Sequence, residues 1–440
     1  MENNHSREPG ADRDPHRQKS AAQDGELTEQ GYAKALDLLH ACATEWGFLA
    51  SPTNEANYRR VWGRDGAIIG LAALLTGDGA LLETTRRTFE TLAENQGPHG
   101  EIPSNVDPVT WRISYGGTAG RVDADLWFVI GCGEYWKAAA DDAFLKRIFP
   151  HVERTVFLLG AWEFNNRGLL YIPQTGDWSD EYIHSGYILY DELLYLQALR
   201  AYRAMKSRLQ GGSDRELSGR IDRLKRLIGR NYWFDHDDDD RRDIYHEVLF
   251  DKGLDLAPKR SGRYWLPFFS PTGYGYRFDA MANVMVSLVG CTTEKQNALV
   301  DGYIAENTLK EDLPLLPAFH PVIQPRDEDW EDLQMNFSYT FKNRPYEYQN
   351  GGLWAIITGL YVADLAGRGK TREAERLLRA VHRANALEMD GEPWGFPEFV
   401  HGLHLAPGGT RGQGWSAAGA VIGHHALQGA PPFRIAEGAS

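Results

Sequence analysis

Residues 62–95 read WGRDGAIIGLAALLTGDGALLETTRRTFETLAEN. The run from Gly66 to Thr76 is apolar nearly all round, the pattern of a helix buried on every side. After Gly77-Asp78-Gly79 the character changes: Leu81–Asn95 is amphipathic, with a charged face. A buried helix tied by a few residues to an amphipathic one is a hairpin with one arm inside and one outside.

The same unit recurs. DLWFVIGCGEYW (125–136) and GLWAIITGLYVADL (352–365) are apolar all round, and TREAERLLRAVHRANALE (371–388) carries a charged face. Helical periodicity predicts twelve helices, at about 27–46, 64–76, 80–95, 122–140, 143–164, 187–207, 213–232, 278–290, 292–308, 350–366, 371–387 and 413–428. Links within a pair are short (77–79, 141–142, 367–370). Links between pairs are long: 96–121, 165–186, 233–277, 309–349 and 388–412. Six inner helices ringed by six outer ones produce both alternations. The expected fold is therefore all-α, a closed (α/α)6 toroid over residues 26–440, preceded by a disordered tail at 1–25. A solenoid would repeat at a shorter, steadier interval. Every long link leads into an inner helix, so the long loops share one face, and long irregular loops are usually functional.

Composition narrows the function. With 61 acidic against 47 basic residues and a net charge of -14, the chain lacks the clustered cations that nucleic acid requires. Three cysteines, Cys42, Cys132 and Cys291, make neither a disulfide framework nor a structural zinc site. No apolar run is long enough for a membrane span, and the polar start MENNHSREPG has no h-region, so a cytoplasmic protein is expected. Nothing in the pattern specifies an oligomeric state. The 13 Trp, 20 Tyr and 18 Phe are either core or the stacking faces of a sugar cleft.

What precedes each inner helix favours the cleft. The segments are Trp62-Gly63-Arg64-Asp65, Arg121-Val122-Asp123-Ala124-Asp125-Leu126-Trp127, Gly176-Asp177-Trp178-Ser179-Asp180-Glu181, Tyr274-Gly275-Tyr276-Arg277-Phe278-Asp279, Tyr346-Glu347-Tyr348-Gln349-Asn350 with Trp354, and Trp394-Gly395-Phe396-Pro397-Glu398 followed by Trp415. An acid at a helix start can simply cap it, but acid beside tryptophan recurring at one end of the hairpins suits sugar chemistry. Glycosidic cleavage needs one carboxyl to protonate the leaving oxygen and a second, ionised, to activate water or attack carbon. No metal set, nucleotide loop or cofactor motif accompanies them; Pro271-Thr272-Gly273-Tyr274-Gly275 follows no strand.

These segments resemble the six-hairpin glycosidases, close to the neutral/alkaline invertases and to the glucosidase domain of glycogen debranching enzymes. Trp62–Asp65 matches the debranching WGRD motif, and Val122–Phe128 matches VDxxLWF. Trp178-Ser179-Asp180 stands where both families carry the catalytic acid. Pro345–Trp354 answers the invertase segment Pro-Trp-Ser-Tyr-His-Asn-Gly-Gly-Ser-Trp. Phe396-Pro397-Glu398-Phe399 answers Trp-Pro-Glu-Tyr, whose Glu is the base, and Gln413–Gly419 answers Gln-x-Trp-Ser-x-Ala-Gly. The resemblance covers about residues 55–428. It implies an inverting hydrolase with Asp180 as acid and Glu398 as base, about 6.5–9.5 Å apart. It also implies Trp62, Arg64, Asp65, Asp123, Asp177 and Asn350 as sugar ligands and Trp127, Trp178, Trp354 and Trp415 as walls. Asp177 is the rival for the acid.

Two departures stand out. Both families' Pro-x-Glu-Ile segment at the third inner helix is answered by Ile188-Leu189-Tyr190-Asp191-Glu192, so that acid is displaced or absent. The invertases' Asp just before the fourth meets Gly275-Tyr276-Arg277, with Asp279 further on. The expected substrate is a small carbohydrate, sucrose first, then an α-1,6-glucosidic or other small α-glucoside such as glucosylglycerate. A phosphorylase would want more cations, and a terpene cyclase would want an Asp-rich motif that Asp123-Ala124-Asp125 does not make. A non-catalytic sugar-binding protein would have lost Asp180 or Glu398. The acidic run Phe234–Asp243 reads as a solvated loop, and His424-His425 as packing.

Overall fold

A computed structural model describes residues 15–235, 240–260, 262–337 and 339–435. The first fourteen residues of the expected tail, and 236–239 of the acidic run, lie outside them. Twelve helices, alternately outer and inner, follow one another around the ring. The helices are α1 (Pro15–Cys42), α2 (Gly63–Thr76), α3 (Gly79–Glu94), α4 (Val122–Ala139), α5 (Asp142–Ala161), α6 (Leu189–Gln210) and α7 (Arg215–Asn231). After a loop helix α8 (Glu247–Arg260) come α9 (Ala280–Leu288) and α10 (Glu294–Asn307). A second loop helix, α11 (Trp330–Met335), precedes α12 (Ala355–Gly367), α13 (Thr371–Asn385) and α14 (Gly414–Leu427). Helix α1 thus begins at Pro15, inside the stretch expected as tail.

The inner ring is α2, α4, α6, α9, α12 and α14; each touches the next, and α14 closes onto α2. Burial follows the sequence pattern. Every residue of α2 from Gly63 to Leu74, and of α4 from Val122 to Trp136, is buried. Outer helix α13 buries its Leu377, Leu378 and Val381 face and turns its charges outward. Glycine lets the inner backbones meet: a Cβ on Gly359 of α12 would lie 2.2 Å from the Gly419 carbonyl oxygen of α14.

Capping differs between the two rings, although outer helix α13 also starts without a side-chain cap. The outer helices α3, α5, α7 and α10 carry side-chain caps from Asp78, Asp141, Asp214 and Thr293. Of the inner helices only α9 does, through Asp279; α2, α4, α6, α12 and α14 start without one. At or just before the start of each inner helix one backbone N–H is met by a long loop. Gly63 donates to Ser104 O (2.9 Å), Val122 to Gly176 O (2.7 Å) and Leu189 to Pro267 O (2.8 Å). Ala280 donates to Ala318 O (3.1 Å), Leu353 to Val400 O (2.8 Å) and Gly414 to Ala50 O (2.8 Å). Each acceptor belongs to the loop that enters the next inner helix, so the six bonds run round the mouth and return to the start.

The sheets lie in these loops. They are short pairings such as Val61-Trp62 with Asn105-Val106 and Phe399-Val400 with Pro407-Gly408. No helix of the described residues is long and apolar enough to cross a membrane. Cys42, Cys132 and Cys291 are buried free thiols.

Candidate active site

The first turns of α2 and α4 build one wall. Arg64 is buried and places Nη1 2.9 Å from Asp123 Oδ2 and Nε 3.6 Å from Asp65 Oδ2. Its guanidinium lies 5.7 Å from the centroid of the Trp415 ring. Asp65 and Asp123 therefore do not cap their helices; they orient an arginine at the mouth. Asp65 Oδ2, Asp123 Oδ1, Arg64 Nε and Trp415 Nε1 are buried without a hydrogen-bond partner. Such groups are costly to leave unpaired, and the hydroxyls of a sugar are their natural complement.

Two further carboxyls face this wall, each held differently. Asp180 pairs with Arg121 Nη2 at 2.8 Å and meets the Tyr348 hydroxyl at 3.5 Å. Arg121 is fixed in turn by the carbonyls of Thr175 and Gly120. Glu398 accepts the Tyr58 hydroxyl on Oε1 and the Thr410 N–H, at 3.0 Å, on Oε2. Gly409 lies so close that a Cβ there would be 2.4 Å from Glu398 Oε2. The Tyr58 and Tyr348 phenols are each in the field of both Asp180 and Glu398, so the two carboxyls share one neighbourhood. Backbone strain gathers beside them: Tyr348, Phe396 and Thr175 adopt positive φ angles of 47°, 44° and 71°, a region that costs a non-glycine residue about 1–2 kcal/mol.

The expected tryptophans form a stack rather than an open lining. Trp178 lies against Phe319 (5.8 Å, 21°) and edge-on to Trp354, which is edge-on to Trp415 (5.3 Å, 86°). Trp127 donates to the Tyr190 hydroxyl at 2.8 Å and sits behind it. Trp62 is half-buried beside Tyr58. Asn350 is turned into the wall: its amide bonds Ile323 N and O and Asn343 O, so it shapes a loop instead of facing a ligand.

Sequence reasoning did not assign roles to Tyr58, Arg121, Tyr348 or Asp191. Arg121 and Tyr348 stood inside the quoted motifs, but a motif does not tell where a side chain points. The acids near the two departures lie at helix starts. Asp191 and Glu192 occupy the first turn of α6, fully buried, Asp191 beside the Asp177 carboxyl and Glu192 beside the Leu170 backbone. Asp279 is the residue immediately before α9 and caps it through the Ala282 N–H.

Burial shapes the acids. It pushes Asp65 up to about 6, with Arg64 opposing, and raises Glu398 against the pull of Lys342 and Tyr58. Asp177 reaches about 7 through burial and the Asp123 charge, and Asp279 about 8, mainly through burial. Unfolded aspartates titrate near 3.9. A raised folded pKa means that the native state holds the extra protons, so this stabilisation is full below about pH 4 and is lost as pH rises through 6 to 8. The thermal midpoint should fall between pH 5 and pH 8.5. Asp177→Asn should make that fall shallower, and identical slopes by scanning calorimetry would remove Asp177 from the account.

The sequence model for alkaline and neutral invertases matches residues 114–430. The chain belongs to the alkaline and neutral invertase family of glycoside hydrolases. Within the family it is 23% identical over 460 residues to the mitochondrial neutral/alkaline invertase 1 of Oryza sativa subsp. japonica, covering 90% of this chain and 70% of that protein. It is 22% identical over 427 residues to the probable chloroplastic alkaline/neutral invertase A of Arabidopsis thaliana, covering 86% of this chain and 65% of the relative. Among solved structures, a bacterial glucoamylase complexed with acarbose shares the fold at a TM-score of 0.64 and 14% identity, over 90% of this chain and 55% of that one. A family 63 mannosylglycerate hydrolase from Thermus thermophilus with bound glucose gives 0.57 and 16%, over 88% and 98%. At such identities these two establish the toroid alone.

Proposed function

We propose that the chain hydrolyses an α-glucoside with inversion, sucrose being the first substrate to test. Asp180 protonates the leaving oxygen and Glu398 activates the water. The observation that carries this reading is the pair of differently supported carboxyls, Asp180 with Arg121 and Glu398 with Tyr58, facing the Arg64–Asp65–Asp123 wall. Glu398 is held by one phenol and one amide N–H, a setting that fixes its direction and leaves the carboxylate able to take a proton from water. Arg64, Asp65 and Asp123 bind the hydroxyls of the glucose ring, and Trp415 closes its face.

Asp177 supports a second reading. Pushed to about 7, it keeps a proton through much of the neutral range, as a general acid must. Its Oδ1 is occupied by the Ser179 N–H and hydroxyl, and it is only 2% exposed. Asp180, whose side chain is 21% exposed, has the better access to a leaving group.

The reaction is tested by incubating the protein with sucrose, isomaltose, maltose, panose, trehalose and glucosylglycerate and following the glucose anomers by proton NMR within minutes. β-Glucose should appear first. α-Glucose appearing first would exclude inversion, and no release from any of the six would remove the α-glucosidase assignment.

A further inference from the structure

A cavity of about 1050 Å³ opens in the mouth between the loops that enter α4, α6, α9 and α12. Asp180 and Arg121 stand in its wall, whereas Arg64, Asp65, Asp123, Trp415 and Glu398 do not. Under the proposed reaction the glucose ring lies between the two carboxyls, against Arg64 and its acids. A space that meets the acid and none of the other groups lies beyond the bond that breaks, on the side of the leaving group. The inference below rests on that reading.

Size and chemistry then say what leaves. Pockets of about 300–1,000 Å³ take whole drug-sized ligands, so this one is larger than a single hexose requires. Its wall presents the aromatic faces of Phe268, Tyr276 and Phe337, the last 46% exposed. Tyr182 Oη, His184 Nδ1 and Thr175 Oγ1, all on wall residues, are buried without hydrogen-bond partners. The charges argue against an anion. Arg121 is paired with Asp180 and Arg277 with Asp329, and Asp332 adds a further carboxylate to the wall. His184 is uncharged, burial having pushed it down to about 3. Stacking faces, hydroxyl and imidazole partners and no surplus cation describe a site for an uncharged polyol.

We infer that this cavity seats an uncharged oligosaccharide leaving group of two or more hexose rings. The substrates it favours are α-glucosides of three rings or more, of which sucrose is the shortened form. Hydrolysis would transfer the glucosyl unit to water and release the oligosaccharide with its new hydroxyl bearing the proton from the acid.

The test compares kcat/KM for matched pairs: sucrose and 1-kestose, maltose and maltotriose, isomaltose and isomaltotriose, with glucosylglycerate as the anionic case. In at least one pair the trisaccharide should be preferred about tenfold or more, because binding energy from remote rings is used at the reacting centre. In Phe337→Ala and Tyr276→Ala that preference ratio should fall toward unity. Equal values within every pair, a ratio unmoved in both variants, or glucosylglycerate preferred over every trisaccharide would overturn the assignment. Calorimetric binding to Glu398→Gln separates the two readings. Trisaccharide binding that weakens in the added Phe337→Ala change, with no turnover by the wild type, would sink the proposed reaction and keep the oligosaccharide cavity. No trisaccharide binding would sink the cavity assignment itself.

Discussion

Asp180→Asn should fold as the wild type does and lose about 10²–10⁴-fold in kcat on an unactivated α-glucoside, the usual contribution of a positioned proton donor. Asparagine is nearly isosteric and its carbonyl can still accept from Arg121 Nη2, which bonds the carboxylate at 2.8 Å. Arg121 also keeps the Thr175 and Gly120 carbonyls, so the loop has no reason to open. What is lost is the proton. A substrate with a good leaving group, such as an aryl or fluoride glucoside, needs less of it and should recover much of the rate. Near wild-type turnover on sucrose would remove Asp180 from the mechanism. The matched Asp177→Asn variant then decides the rival: a comparable loss there, with Asp180→Asn active, would move the acid three residues upstream.

Glu398→Gln should be as severe, at about 10²–10⁴-fold in kcat, with sugar binding retained. The glutamine carbonyl can accept the Thr410 N–H while its amide donates to the Tyr58 oxygen, reversing the polarity of one hydrogen bond and preserving the geometry. Because only the activation of water is removed, KM for sucrose should change far less than kcat. Added azide tests stereochemistry. In an inverting site it attacks from the water side and gives a β-glucosyl azide from an α-glucoside. An α-glucosyl azide, the product of two displacements, would contradict inversion.

The inner and outer helices were legible because their burial differs so strongly. The periodicity of 122–140 meets α4 at Val122–Ala139, and that of 371–387 meets α13 at Thr371–Asn385. The loop helices α8 and α11 escaped notice: one carries Pro258 near its end and the other is six residues long. Two-residue strands are too short to show an alternation, and some pair far along the chain, as Val61 does with Val106, so no local pattern records them. In the site, the quoted motifs bring Asp180 and Glu398 into one neighbourhood but do not give the direction of the side chains beside them. Asn350 shows the cost of that: its motif suggested a sugar ligand, and the amide is committed to backbone groups of a buried loop. Tyr58 is the converse case, a residue four positions before WGRD whose hydroxyl reaches a glutamate 340 residues further along the chain.

The hydrogen bonds circling the mouth end where they begin, with Gly414 N–H on the carbonyl of Ala50. Synthesis is linear, however, so the clasp between the earliest and latest loops is the last to form. Until α14 has left the ribosome, Trp415 is absent from Arg64, and Glu398 has emerged without the ring that will hold it. A nascent chain lacking α13, α14 and the loop between them has five of the six inner helices and no Glu398. Under the proposed reaction, a chain cut before Glu398 and α14 would lack both the base and Trp415, however well its other inner helices pack.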